Sequence, residues 1–224
     1  MRKMSLITGI VFAVLFILIF VLVNYNTVYS WDKAAFNFIN TGLHFQPLDG
    51  FFIAVTTYGR TFFWVPVVAL LWLFGGKKGK NAATIMAIAF IFVIIVGLTL
   101  KDVYYRPRPF LSILNAIVLI PKPSDSSFPS GHAMIVAAGA AVSFLMLKKR
   151  YSIPLGIEAA LVMFSRVYIG VHYPTDIIGG MFLGAAISLV TYSLLVDSKL
   201  YKKFFELITG VYSKVLSTIG IKNA

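Results

Sequence analysis

The 224-residue sequence contains no cysteine, which excludes disulfides, thiolate metal sites and a cysteine nucleophile. Charge is also scarce. Only 12% of residues are Asp, Glu, Lys or Arg, eight of them carboxylates, and there are three histidines. No stretch gathers the several acids that a divalent cation needs, so no metal or other cofactor is expected. With 59% hydrophobic residues and a mean hydropathy of +0.87, the composition is that of an integral membrane protein rather than a soluble globular domain. The net charge of +12 does not point to nucleic acid, because the basic residues fall in short segments between apolar runs, as topology control requires. No internal repeat suggests the inverted halves of a transporter.

Apolar runs around Ser5 to Asn24, Thr61 to Phe74, Ala82 to Leu100, Gly131 to Leu147, Ile153 to Val171 and Thr175 to Val196 predict an all-α bundle of six membrane-spanning helices. The first run follows a basic N-terminus, is too long for a signal-peptide core and lacks a small-residue cleavage site, so it reads as an uncleaved signal anchor. The second is short, and the apolar stretch Leu48 to Tyr58 before it extends the helix or forms a re-entrant segment. Arg2 and Lys3, Lys77 to Lys80, Lys148 to Arg150 and Lys199 to Lys203 share one side of such a bundle, which the positive-inside rule makes cytoplasmic. Both termini are then inside. Tyr25 to Gln46, with Trp31, Phe36, Phe38 and Ile39, reads as an outer interfacial helix or loop with a packing role. Leu200, Phe204, Ile208, Val211, Val215 and Ile219 recur at helical spacing, predicting a cytoplasmic amphipathic helix on the lipid surface. The chain divides into a six-span domain over 1–197 and a tail over 198–224.

Polar chemistry gathers at the outer ends of the spans. Lys101 is followed by Arg106-Pro107-Arg108-Pro109, where proline stops the helix and holds the arginines on an extended segment. Such cations suit phosphate recognition, with contact to anionic headgroups as the alternative. Ser124 to His132 ends in Pro129-Ser130-Gly131-His132, where Ser130 is a candidate N-cap and the bare backbone at Gly131 lets amides approach an anion. In Ser165 to Asp176, Arg166 offers a counter-charge, and His172 and Asp176 lie four residues apart. Pro174 can begin the last span, so that Asp176 falls in its first turn and orients the His172 imidazole. Exposed polar groups at a helix end are the plainer alternative. Apart from Asp176 at the outer end of the last span, Glu158 is the one carboxylate inside a predicted span, and it lies near enough to the cytoplasmic end to reach water by snorkelling.

Lys101 through Arg108-Pro109, the Pro129-Ser130-Gly131-His132 tetrad, and Ser165-Arg166 followed by His172 and Asp176 resemble the three signature motifs of the type 2 phosphatidic acid phosphatase superfamily, complete and in order. The resemblance implies that His172 attacks phosphorus to give a phosphohistidine and that Asp176 orients it. His132 would then protonate the leaving oxygen, and Lys101, Arg108, Ser130, Gly131 and Arg166 would bind the phosphoryl group without a metal. Arg106 and Ser165 fall in secondary roles, Arg106 as a ligand of a second phosphate or of headgroups and Ser165 as a support for Arg166 or the phosphate. An outward-facing site at the cell membrane fits a lipid substrate, first a polyprenyl diphosphate of the undecaprenyl or dolichyl type. Phosphatidylglycerol phosphate, phosphatidic acid and a lipid phosphotransferase are the alternatives. A non-enzymatic lipid-binding or transport protein needs neither histidine, and a serine hydrolase built on Ser130 does not need the cations. Leu111 to Ile120 is expected to form the lip where the lipid enters.

Overall fold

The computed structural model describes residues 2–218; Ile219, expected on the apolar stripe of the C-terminal helix, lies outside the described residues. The described residues form ten α-helices and no strand. They are α1 (Arg2–Asn24), α2 (Tyr29–Asn37), α3 (Asp49–Tyr58), α4 (Thr61–Phe74), α5 (Gly76–Val103), the single turn α6 (Pro109–Ser112), α7 (Gly131–Met146), α8 (Lys149–Tyr168), α9 (Pro174–Leu195) and α10 (Lys199–Thr218).

By length and composition α1, α5 and α9 can each cross a membrane, and α3 with α4 makes a fourth crossing if this pair, bent by 52°, counts as one. Two of the six expected spans fall short of that measure for different reasons. The 16 residues of α7 reach only about 24 Å, and α8 carries Lys149, Arg150, Glu158 and Arg166 along its length. The upstream apolar stretch therefore forms α3, a separate arm of a bent pair rather than an extension of α4.

At the centre stands α9, packed against α1, α5 and α7. Small residues make this fit: a β-carbon on Gly184 would lie 2.0 Å from the Met134 carbonyl oxygen on α7, so only glycine lets the two backbones meet. The peripheral α1 shows the opposite pattern, leaving Ile10, Val14, Ile17 and Val21 exposed along a face suited to lipid. One main core runs through the bundle and includes Trp64, Met134, Val162 and Leu183.

The basic segments meet at one end of the bundle. There Arg2 donates to the Ser193 carbonyl at 3.0 Å, and Lys78, Lys148 and Arg150 border one cleft. Lys80 lies 4.8 Å from the centre of the Tyr212 ring. The C-terminal helix α10 docks at this end, with Tyr201 and Phe205 joining the main core and the Tyr201 hydroxyl donating to Asn81 at 2.5 Å. Leu200, Phe204, Val211 and Val215 remain exposed on its other side.

Glu158 corrects the snorkelling expectation. The residue is 8% exposed, and its carboxylate accepts a hydrogen bond from the Trp64 indole N–H at 3.1 Å, so it turns inward across the bundle instead of out to water.

Candidate active site

The three motif segments converge at the end of the bundle opposite the basic segments, around a cavity of about 500 Å³. Proline ends α5 as expected, leaving Tyr104 to Arg108 extended, and the main chain there is tied to the next motif: Ser127 N–H donates to the Arg106 carbonyl at 2.9 Å. The α7 N-terminus is tied in turn to the start of α9, where Ser130 N–H donates to the Asp176 carbonyl at 3.1 Å. Pro174 is the first residue of α9, and Asp176, at its third position, accepts the Tyr173 N–H at 2.8 Å, as the carboxylate of a capping box does.

Asp176 is fully buried and accepts more than this one bond. Ser127 Oγ and Arg106 Nη1 each donate to it at 2.5 Å, and His172 Nδ1 lies 3.4 Å from Oδ2. Nδ1 is thereby turned to the carboxylate, and Nε2 points the other way, 3.4 Å from Arg108 Nη1. His172 is 2% exposed and forms part of the cavity wall. Burial drives its pKa down to about 3; the hydrogen bond to Asp176 raises it, while Arg166 and Arg108 lower it further. The ring is therefore neutral near pH 7, with a lone pair on the nitrogen that faces the cavity.

Four cations line the same cavity: Lys101, Arg108, Arg166 and Arg60. Lys101 and Arg108 share Asp125, whose carboxylate oxygens lie 2.6 Å from Lys101 Nζ and 2.6 Å from Arg108 Nη2. Burial raises the Asp125 carboxyl, but the two cations outweigh it and hold it down at about 2. Arg108 is also fixed by the carbonyls of Val171 at 2.8 Å and of Asp125 at 3.0 Å. Arg166, 5% exposed, donates to Thr56 Oγ1 at 2.5 Å, has no carboxylate partner among the described residues, and leaves its Nε without a hydrogen bond. A buried guanidinium without a carboxylate partner favours an anion in the cavity. Ser130 occupies the N-cap position of α7, but among the described residues its hydroxyl makes no capping bond and no other hydrogen bond, to a histidine or otherwise. His132, in the first turn of α7, stands on the cavity wall with Gly131.

Three expectations are corrected. Arg106 does not face the cavity: its guanidinium spans Asp32 and Asp176, at 2.5 Å from each, and stacks on the Tyr173 ring at 4.4 Å. Two buried carboxylates hold it away from the cavity, so its place is that of a support for Asp176 rather than of a ligand for a second phosphate. Ser165 Oγ bonds the Val162 carbonyl of its own helix at 2.7 Å, and Thr56 takes the expected place beside Arg166. Leu111 to Ile120 does not border the cavity. Leu114 is fully exposed elsewhere, and the apolar wall is instead made by Val65 of α4 with Phe90, Ile94, Gly97 and Leu98 of α5.

Sequence reasoning missed Asp32, Arg60 and Ser127. Asp32 of α2 is wholly buried, bonding Arg106 and both the N–H and the hydroxyl of Thr175. It is the only acid between residues 1 and 48, a signal that a purely packing segment would not need.

A neutral imidazole backed by a carboxylate, facing a nest of cations at the end of an apolar groove, defines a phosphoryl-handling membrane protein of the helical class. Residues 81–199 match the model of the PAP2 superfamily, and the chain belongs to that superfamily. An undecaprenyl-diphosphatase of Sulfolobus acidocaldarius is 42% identical over 145 residues, covering 64% of this chain and 69% of that protein. The undecaprenyl-diphosphatase BcrC of Bacillus subtilis is 27% identical over 179 residues, 80% of this chain and 90% of that one. A solved PAP2-type phosphatidylglycerolphosphate phosphatase from Bacillus subtilis superposes with a TM-score of 0.73 at 25% identity, covering 86% of this chain and 98% of its own.

Proposed function

We propose that this membrane phosphatase removes the terminal phosphate of a polyprenyl diphosphate through a phosphohistidine on His172. The observation that carries the reading is Arg166, a buried guanidinium without a carboxylate partner among the described residues, on the same cavity wall as the Nε2 of a neutral His172. The undecaprenyl-diphosphatase relatives favour the diphosphate, and the apolar wall between α4 and α5 suits a prenyl chain that stays in the bilayer.

In this reading the terminal phosphoryl group sits among Lys101, Arg108 and Arg166, with the Gly131 amide and the Ser130 hydroxyl donating to its oxygens. Nε2 of His172 attacks phosphorus while Asp176 holds the Nδ1 proton and the charge that develops on the ring. His132, across the cavity, serves as proton donor to the leaving oxygen and then as base toward the water that hydrolyses the phosphohistidine. Such a group contributes roughly 10²- to 10⁴-fold. The fixed cations stabilise charge on the transferring group.

For topology, six crossings with both termini in the cytoplasm fit best. The bent α3–α4 pair, α7 and α8 then complete the set begun by α1, α5 and α9, and the basic end lies inside. The site then opens to the extracytoplasmic face of the cell membrane. Residues 1–197 form the catalytic domain, and the tail from 198 rests its exposed apolar side on the inner lipid surface.

The test is phosphate release by protein purified in detergent, with chelator present, from an undecaprenyl-type diphosphate, phosphatidylglycerol phosphate and phosphatidic acid. Wild type should release phosphate, fastest from the diphosphate, and His172→Ala should release none. His132→Asn should accumulate an acid-labile, base-stable phosphoenzyme. Activity surviving in His172→Ala would overturn the mechanism.

A further inference from the structure

One cation facing the cavity belongs to none of the three motifs. Arg60 follows Gly59 at the elbow between α3 and α4. A β-carbon on Gly59 would lie 2.2 Å from the Val162 side chain, so the elbow is pressed against α8. The Arg60 guanidinium reaches from there over the start of α7, its Nη1 3.9 Å from where a β-carbon on Gly131 would stand. Arg60, His132 and Arg166 line the same cavity. The other cavity cations differ: Lys101 and Arg108 are paired with Asp125, and Arg166 is buried. Arg60 is exposed and, among the described residues, lies within ion-pair distance of no carboxylate.

We infer that Arg60 binds the phosphate that remains on the lipid, and so sets the preference for diphosphates over phosphate monoesters. This rests on the reading that a diphosphate is the substrate. His172 holds the terminal phosphorus, and Arg60 stands by His132, on the side from which the leaving oxygen departs. As the Nε2–phosphorus bond forms, the bond from that phosphorus to the bridging oxygen breaks. The electron pair stays on the bridging oxygen, which becomes a terminal oxygen of the lipid monophosphate. A phosphomonoester has a second pKa of about 6, so its leaving oxygen depends less on the proton from His132 and more on a fixed cation. A monoester instead expels an alkoxide, which must be protonated, and there His132 matters more than Arg60.

The experiment compares wild type, Arg60→Gln and Arg60→Lys in detergent, with an undecaprenyl-type diphosphate and phosphatidic acid as substrates. Inhibition by pyrophosphate and by inorganic phosphate gives a readout free of lipid turnover. Losing a charge-assisted contact should lower kcat/KM for the diphosphate about 10- to 100-fold more than for phosphatidic acid. Arg60→Gln should also erase the advantage of pyrophosphate over phosphate as an inhibitor, and Arg60→Lys should restore part of both. Melting temperature should not change, since the Arg60 side chain makes no hydrogen bond among the described residues, and the bond that its carbonyl accepts from Trp64 N–H at 3.2 Å does not depend on the side chain. Equal losses on both substrates with the pyrophosphate advantage retained would overturn the inference. If wild type cleaves phosphatidic acid but no diphosphate, the substrate reading falls, and the pyrophosphate comparison still decides whether Arg60 binds a second phosphate.

Discussion

Asp125 holds Lys101 and Arg108, the two cations that the proposed mechanism gives to the phosphoryl group, so in that mechanism a substrate or product phosphate displaces it. Removing its charge should tighten phosphate binding. Both contacts are short, at 2.6 Å each, but the Asp125 side chain is 54% exposed, so solvent screens them. Two such screened pairs are worth about 1–2 kcal/mol together. Asp125→Asn should therefore lower the inhibition constant of inorganic phosphate about 5- to 30-fold. The cations should hold their places, because Arg108 keeps its bonds to the Val171 and Asp125 carbonyls and Lys101 keeps the Ser126 carbonyl at 2.8 Å. The effect has a defined pH dependence. The Asp125 carboxyl is depressed from 3.8 to about 2, so its ion pairs contribute stability that is fully present above the ordinary value and is lost as pH falls toward 2. Between about pH 5 and pH 8 the ratio of inhibition constants, wild type over variant, should then be flat. The assay is phosphate inhibition of turnover in detergent across that range. An unchanged or raised constant in Asp125→Asn would show that the carboxylate organises the cations rather than competing for them.

Asp32→Ala leaves half of the Arg106 bridge unpaired in a buried place and should cost about 3–5 kcal/mol, read as a lower melting temperature in detergent, with kcat falling more than KM rises. An unchanged melting curve would refute the bridge. Glu158→Gln keeps an acceptor for the Trp64 indole and should leave phosphate release within about twofold of wild type. Glu158→Ala orphans that N–H and should cost about 1–3 kcal/mol of stability. Charged substitutions in the groove, Val65→Asp or Ile94→Asp, should slow hydrolysis of long-chain substrates far more than of short soluble ones, while Leu114→Asn should affect neither. Equal effects on long and short chains would place lipid entry elsewhere.

The elements that the sequence disclosed are those whose chemistry is local. A histidine and an aspartate four residues apart, with proline between them, state their own geometry, because the helix start at Pro174 is what brings Asp176 back toward His172. The same holds for the break of α5 before Pro107 and for the α7 start at Gly131. Asp32, Arg60 and Ser127 come from segments that meet the site only through packing of α2, the α3–α4 elbow and the loop before α7, and no period or motif ties them to His172. Arg106 shows the converse difficulty. Two residues from Arg108 and chemically identical to it, it differs only in the carboxylates that happen to face it. The number of crossings is less legible: α7 is shorter and α8 more charged than α1, α5 and α9, and much of α7 is surrounded by neighbouring helices.

In the proposed function the lipid enters along the apolar wall of α4 and α5, and the cations at the far end of that wall meet its phosphates. A lipid that reaches the site by that route never leaves the plane of the membrane, and only the released phosphate passes into water. The quantity that governs turnover is then the mole fraction of substrate among the surrounding lipids or detergent, not its bulk molarity. Adding inert lipid at constant total substrate should slow the enzyme by surface dilution, and apparent affinities from different micelles become comparable only after that correction.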